Sequence, residues 1–219
     1  MEGRPRLGPV ASGNSLRSPV LRVLALLAVL STVAGCASEP APAVDRAALR
    51  ADWERWAADR DSLFRSPASP LLPDSLAAFE GLPYFPYDST LAVAAALVPS
   101  TTRDTVIFPT TTGDLQRYVS AGHLVFEAEG VQRRLEAFEP VVGEPRLFVP
   151  FYDATNRRET YGGGRYLDVP IQPTTDGRIP LDLNRAYHPY CVYNPSYSCP
   201  LPPPENRLEV AVTAGERLP

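Results

Sequence analysis

The sequence contains no lysine, and its 219 residues include only two histidines, one methionine and three cysteines. All 21 basic residues are arginine, and 25 acidic residues outnumber them, so the formal net charge is −4. Nucleic-acid-binding domains carry a clustered basic surface, and this balance therefore excludes nucleic acid as a partner. Two explanations for the missing lysine are open. One is arginine codon choice in a GC-rich genome, and the other is selection for guanidinium groups that bind phosphate or carboxylate.

Motifs of common enzymes are also missing. His123 and His188 are the only histidines, the side chains that titrate near neutral pH. Neither Gly-x-Ser-x-Gly nor His-Glu-x-x-His occurs, and we predict no metal and no cofactor. Catalysis by carboxylates such as Asp168, Asp182 and Glu205 stays open, because spacing in sequence does not give spacing in three dimensions.

The apolar segment near the N-terminus is too short to be a membrane span. Residues 23–34 form an uncharged run behind Arg17 and Arg22, whereas a helix crossing ~30 Å of hydrocarbon needs about 20 apolar residues. A short apolar core behind basic residues is typical of a signal peptide, which we assign to residues 1–35. Translation from Val20 or Leu21 is an alternative start.

The segment Val33-Ala34-Gly35-Cys36 resembles the bacterial lipobox, in which a cysteine is lipidated and becomes the new N-terminus. We therefore predict a lipid anchor at Cys36, followed by a tether to residue 44, and a membrane as the partner of that anchor. The expected location is the periplasmic side of the cell envelope, and the lack of Asp at position 37 favours the outer membrane. An ordinary secreted protein is the alternative.

Residues 45–219 are predicted to form one β-rich domain. Asp45 is placed to cap a helix that ends near Phe64, and Pro73–Phe79 predicts one or two further helical turns. After Gly81 the apolar residues recur with the period of two that is typical of strands. Eight strands are predicted: Leu91–Val98, Asp104–Pro109, Tyr118–Ala128, Val131–Phe138, Arg146–Tyr152, Arg165–Ile171, Ile179–Asn184 and Arg207–Ala214.

Strands joined by short links without intervening helices predict an antiparallel sheet, curved or closed into a barrel. The expected fold class is therefore mainly β, with an N-terminal amphipathic helix. The apolar stripe of that helix contains Leu49, Trp53, Trp56, Leu63 and Phe64. We expect this stripe to dock on the sheet; the alternative is a surface for a membrane or an envelope protein.

The C-terminal half carries long ordered motifs at residues 147–155, 159–168, 182–187, 189–195 and 197–203. With earlier pieces at 69–71, 79–86 and 110–113, they resemble the uncharacterised bacterial and archaeal family called domain of unknown function 1684, over roughly residues 46–217. The chain departs from that pattern at His188, where the family has Asn. The resemblance implies no activity.

Polar groups cluster among tyrosines and glycines in this half, which indicates a ligand-binding cleft. The candidate ligand-binding residues are Gly163, Gly164, Arg165, Asp168, Asn184, Tyr187, Glu205 and Asn206. Each has a structural alternative: a bulge or tight corner for the glycines, and packing of a Pro-rich loop for the tyrosines. Arg165 and Asp168 lie on opposite faces of one strand, so one of them is expected to point inward and to form an ion pair with a partner such as Asp182, Glu205 or Arg185. A ligand contact by Arg165 is the alternative.

Cys191 and Cys199 are the cysteines that remain beyond Cys36, and outside the cytoplasm such a pair predicts a disulfide. Zinc binding with His188 and free thiols are alternatives. Together these features predict a non-catalytic, small-ligand-binding domain of a membrane-anchored envelope lipoprotein. An envelope enzyme using Asp168 or Glu205 with Arg165, and a structural partner of an envelope assembly, are alternative functions.

Overall fold

The computed structural model describes residues 45–218. The predicted signal peptide at 1–35 and the predicted lipidation site Cys36 with its tether lie outside the described residues.

Two helices precede the sheet, as predicted. Helix α1 spans Arg46–Arg65, and its cap is Asp45, whose carboxylate accepts hydrogen bonds from the Ala47 and Ala48 amides. Helix α2 is the single turn Pro73–Ala77, which begins at a proline. Within residues 45–218, no helix combines the length and the apolar character needed to cross a membrane.

Seven strands between residues 45 and 218 form one antiparallel sheet: β1 Ala92–Pro99, β2 Thr105–Pro109, β3 Leu115–Ala128, β4 Val131–Pro140, β5 Leu147–Phe151, β6 Arg165–Val169 and β7 Ile179–Asp182. Their order is β6-β5-β4-β3-β1-β7, and β2 pairs with β3. The sheet curls into a half-barrel, which confirms the mainly β, antiparallel and curved fold class.

Strand β3 contains a bulge, a feature that bends a strand locally. The register between β3 and β4 shifts between Ser120 and Gly122. Before the bulge β3 pairs with β2, and after it β3 pairs with β1 along the same edge. Gly122 has φ +122°, and a Cβ there would lie 2.1 Å from the Val98 carbonyl oxygen. Only glycine allows the two backbones to approach so closely.

The two ends of the strand order meet through tyrosines. Tyr166 on β6 forms a bridge with Tyr187, which lies just after β7, and their backbones exchange two hydrogen bonds of 2.9 Å each. The segment around Tyr187 therefore crosses the mouth of the half-barrel.

The eighth predicted strand, Arg207–Ala214, is wrong. The expected alternation is present, because Leu208, Val212 and Ala214 are buried. Only Arg207 forms a bridge, however, with Tyr152. The carbonyls of Val212 and Ala214 accept hydrogen bonds from the Arg165 guanidinium instead of a neighbouring strand.

The sheet buries side chains on both faces. Leu124, Leu135, Val149 and Leu167 belong to the main core on the inner face. The outer face carries a connected series of aromatic rings, each within 5.8 Å of the next: Phe138, Phe108, Tyr118, Phe148, Tyr166 and Tyr187. The loop 187–200 covers part of this aromatic series, and the candidate site lies next to that loop.

Candidate functional site

An open cleft, which we call the aromatic cleft, lies between the outer face of the sheet, α1 and the loop 187–200. Its volume is about 320 Å³, and its charged groups are Arg60, Arg146 and Asp168. Its aromatic walls are Tyr118, Phe148, Tyr166, Tyr187, Tyr190 and Tyr197.

The strands place these side chains by their alternation. Tyr166 and Asp168 both point to the outer face of β6, whereas Leu167 between them joins the main core. Phe148 on β5 stands directly opposite Asp168. The same period of two that builds the core therefore builds the floor of the cleft.

The Asp168 carboxylate is held by two donors. Arg146 Nε lies 2.7 Å from Asp168 Oδ1, and the Tyr187 hydroxyl donates to Oδ2 at 2.8 Å. Both charged side chains remain more than a third exposed. They form a fixed pair of opposite charges at the mouth of the cleft, where a polar ligand group could reach either one.

Arg60 on α1 provides the cleft with a second guanidinium. Its Nε donates to Glu216 Oε1 at 2.5 Å, and its guanidinium carbon lies 4.5 Å from the centre of the Tyr187 ring. Burial lowers the pKa of Arg60, but the Glu216 carboxylate outweighs this and keeps Arg60 charged. Its Nη2 is buried and makes no hydrogen bond of good geometry among the described residues, although the buried Tyr84 hydroxyl lies beside the same guanidinium.

The sequence interpretation missed Arg60, although a signal was present. Arg60 lies four residues after Trp56 and four before Phe64, and is therefore on the apolar stripe of α1. A charged residue in that position needs a buried partner, and the partner is Glu216, whose carboxylate is fully buried.

Three tyrosines of the cleft, Tyr118, Tyr187 and Tyr190, stay protonated near neutral pH. Burial, followed by the nearby Asp168 carboxylate, raises the pKa of Tyr187 well above its ordinary value. Burial also raises the pKa of Tyr118 and of Tyr190. These phenols act as neutral donors and flat surfaces near neutral pH, which suits binding better than proton abstraction.

Of the eight predicted ligand-binding residues, only Asp168 and Tyr187 line this cleft. Arg165 is fully buried, and its Nη2 donates to Asp153 at 2.8 Å. Arg165 therefore forms a buried ion pair, as one of the two interpretations expected. Its partner is Asp153, so the partners predicted from the sequence are wrong. Gly164 has φ +89°, and a Cβ there would lie 2.7 Å from the Phe151 carbonyl oxygen; a Cβ on Gly163 would lie 2.3 Å from the Tyr161 ring.

The two asparagines hold backbone segments together. The Asn184 side chain accepts from the Asp88 amide at 2.9 Å and donates to the Asp88 carbonyl at 2.8 Å. Asn206 makes the corresponding pair of hydrogen bonds with Glu136, at 2.7 Å and 2.9 Å. Both are buried. Each side chain supplies the donor and the acceptor that the backbone of a neighbouring strand would otherwise supply.

The residues predicted for an enzyme do not converge. Glu205 is exposed in a separate concavity that it shares with Arg134 and Glu136, while Asp168 lies in the aromatic cleft. Arg165 reaches neither carboxylate, because its hydrogen bonds go to Asp153 and to backbone carbonyls. A paired-carboxylate mechanism with these residues has no geometric support.

Cys191 and Cys199 lie next to each other and are free thiols in this structure. The Cys191 amide donates to Cys199 Sγ at 3.1 Å. A hydrogen bond from the Cys199 thiol, outweighing burial, lowers the pKa of Cys191 to about 7. Between residues 45 and 218, no cluster of three or more His, Cys, Asp or Glu side chains could hold a metal ion. The disulfide stays a prediction.

Comparison with known proteins supports the sequence resemblance. The family described as "Protein of unknown function (DUF1684)" matches residues 77–217. An uncharacterised protein of Haloarcula marismortui, solved by NMR in solution, is 37% identical, with a TM-score of 0.64 over 80% of this chain and 96% of that one. A comparison with curated proteins finds no match.

Proposed function

This chain belongs to the DUF1684 family of proteins of unknown function, and from that premise we propose that its domain binds a small ligand in the aromatic cleft without transforming it. The observation that carries the proposal is the exposed Arg146–Asp168 ion pair, which lies in a cleft with tyrosine walls.

The chemistry of the walls defines the class of ligand. The cleft volume of about 320 Å³ is at the lower end of the range of small-molecule sites. Tyr187, Tyr190 and Tyr197 offer flat surfaces for an aromatic ring or the apolar face of a sugar. Arg146 and Asp168 offer one donor group and one acceptor group at the mouth. A flat molecule with a polar edge fits these features.

A thermal-shift screen of the full chain against monosaccharides, nucleosides and aromatic carboxylates tests this proposal. A ligand at 100 times its Kd stabilises the folded state by about 2.7 kcal/mol. A compound that stabilises the wild type should lose this effect in Arg146→Gln. The matched control Arg117→Gln, which changes an exposed arginine of β3 outside the cleft, should retain it. If no compound stabilises the wild type, the proposal is wrong.

We also propose that the domain is anchored to the envelope through lipid on Cys36, with the outer membrane as its location. The apolar run at 23–34 and the lipobox-like Val33–Cys36 support this proposal. In a two-membrane bacterium, the wild type should fractionate with membranes and carry acyl mass on Cys36. Cys36→Ser should abolish both, and the control Ser38→Ala should change neither. Full-length chain in the soluble cytosol with residues 1–35 intact would contradict the anchor.

A further inference from the structure

A second concavity, which shares no lining residue with the aromatic cleft, has a different chemistry. We name it the arginine pocket, and its volume is about 570 Å³. The lining residues on which the proposal depends are Tyr152, Asn156, Arg157, Arg158, Gly162 and Arg207. We propose that the arginine pocket binds the phosphoryl group of a small phosphorylated ligand.

The charge of the pocket is uncompensated. Arg157, Arg158 and Arg207 form no ion pair with any carboxylate of residues 45–218. Unlike the other unpaired arginines of that range, these three line one concavity. Three like charges around one concavity repel each other, and a bound anion would relieve that repulsion.

Two of the arginines converge on one ring. The guanidinium carbon of Arg207 lies 4.6 Å from the centre of the Tyr152 ring. Burial raises the pKa of Tyr152, and the positive charges of Arg207 and Arg157 oppose this rise. Both cations therefore lie close to the same phenol, and the Tyr152 ring holds the Arg207 guanidinium plane in place.

The loop that carries Arg157 is fixed before any ligand arrives. The Thr155 and Thr160 hydroxyls lie 2.7 Å apart, and the Asn156 side chain donates to Thr160 Oγ1 at 2.9 Å. Arg157 itself has φ +69°, a left-handed conformation that is strained for a residue other than glycine. Strain of this kind persists where the surrounding structure imposes it, often at binding sites.

Gly162 completes this arrangement. A Cβ at position 162 would lie 2.9 Å from Arg157 Cγ, so the glycine leaves room for the stem of Arg157 against the backbone. Asp153, the carboxylate at the base of the pocket, is fully buried and neutralised by Arg165 at 2.8 Å. It therefore leaves the positive potential of the pocket largely uncancelled.

A phosphoryl group suits this donor set better than a carboxylate. Each guanidinium presents a planar fork that binds two oxygens of one anion. Three forks offer more donors than the two oxygens of a carboxylate accept, whereas a dianionic phosphoryl group presents three oxygens in three directions. The Tyr152 ring beside them provides a surface for the remainder of a small ligand.

Calorimetric titration of the full chain in detergent with inorganic pyrophosphate tests the proposal. We expect saturable binding that weakens at least tenfold, about 1.4 kcal/mol, in the Arg157→Gln/Arg207→Gln double variant. The control Arg117→Gln, which removes one exposed arginine elsewhere, should stay within twofold of the wild type. Arg146→Gln in the aromatic cleft should also bind pyrophosphate normally, so the two proposed sites fail or succeed separately.

Three outcomes would overturn the inference. The first is no detectable pyrophosphate binding to the wild type at low salt, where charge interactions are screened least. The second is unchanged binding by the double variant when its melting temperature shows that it is folded. The third is equal or tighter binding of citrate, which offers carboxylates at a comparable charge and would reject the phosphoryl group as the ligand.

Discussion

Arg165 is the residue whose role changes most between sequence and structure. It is fully buried, and its guanidinium donates to Asp153 at 2.8 Å and to the carbonyls of Val212 at 2.7 Å and Ala214 at 2.5 Å. These carbonyls belong to alternate residues of an extended segment. The Arg165 side chain therefore supplies the hydrogen-bond donors that an adjacent strand would otherwise supply to these carbonyls. This explains why the pattern at 207–214 predicts a strand that does not form.

Replacing Arg165 with alanine should strongly destabilise the fold. The change leaves the Asp153 carboxylate buried without its cation and leaves the backbone carbonyls without donors, and breaking a buried pair in this way costs about 3–5 kcal/mol. Urea unfolding measures the loss. The exposed Arg178 is the matched control, and Arg178→Ala should change the free energy of unfolding by less than about 0.5 kcal/mol. Equal stability of the two variants would contradict the structural role of Arg165.

His188 makes acid stability depend on one buried imidazole. Burial first, and then the positive charges of Arg165 and Arg60, lower the pKa of His188 to about 3, although Asp153 opposes the shift. The Tyr161 amide donates to His188 Nε2 at 3.2 Å, and Nδ1 lies 4.0 Å from Glu216 Oε2. The folded protein therefore keeps this histidine neutral at pH values where the unfolded chain protonates it.

The sign of the pH effect follows from that difference. Between pH 6.5, the ordinary pKa, and about pH 3, the unfolded state binds more protons at His188, so stability falls as the pH falls through this window. The slope is at most about 1.4 kcal/mol per pH unit. His188→Asn, which removes the titrating imidazole and keeps a polar side chain, should remove that slope. Parallel stability curves for both proteins from pH 6.5 to pH 4 would contradict this.

At the scale of elements, local signals predicted most of the structure. Asp45 caps α1 where the sequence places it, because capping depends on neighbours two and three residues away. Trp53 and Trp56 pack against Tyr84 in the loop before β1, so the stripe docks within the chain, but on loop residues rather than on the sheet as predicted. The seven correct strands carry their own alternation, and only their ends differ by a few residues.

The elements of the two sites could not be predicted in the same way. Arg60 meets Tyr187 across 127 positions of sequence, and no local pattern encodes that contact. Asn184 and Asn206 looked like ligand contacts because they are polar residues among tyrosines, yet both bond to distant backbone. Burial in three dimensions, which one sequence does not reveal, separates structural polar groups from exposed ones.

The loop between Cys191 and Cys199 permits a chemical test. The pKa of Cys191 is about 7, because the Cys199 thiol hydrogen-bonds to its sulfur. In the reduced protein, iodoacetamide should therefore alkylate Cys191 with a midpoint near pH 7, and Cys199→Ser should shift that midpoint upward. Peptide mass spectrometry measures both rates. A midpoint of the wild type above pH 8 would contradict the hydrogen bond.

Protein recovered from an oxidising compartment should contain the Cys191–Cys199 disulfide. Closing a loop of this length stabilises a fold by about 2–3 kcal/mol in the chain-entropy model, so reduction should lower the melting temperature. Intact thiols in freshly isolated envelope protein would reject the cross-link. With free thiols, the loop forms a wall of the aromatic cleft, since Tyr197 and Cys199 both line it.

For the whole molecule, one bend serves both faces of the sheet. The bulge at Gly122 lets β3 pair with β2 and then with β1, and this bend curls the sheet around the main core. The same curl brings the aromatic series on the outer face towards α1 and the loop 187–200, where the cleft forms. Stability and the proposed binding site therefore depend on the same backbone position.

Gly122→Ala is the sharpest test of that dependence. Its Cβ would lie 2.1 Å from the Val98 carbonyl oxygen, so the strands must separate, and we expect a loss of at least about 3 kcal/mol. Gly113→Ala is the matched control, because Gly113 also has positive φ, +88°, but nothing lies within 4 Å of its added Cβ; it should cost about 1 kcal/mol. Urea unfolding compares the two variants. If the two losses are equal, the cost comes from φ alone, and the close approach of β1 and β3 does not determine the curl.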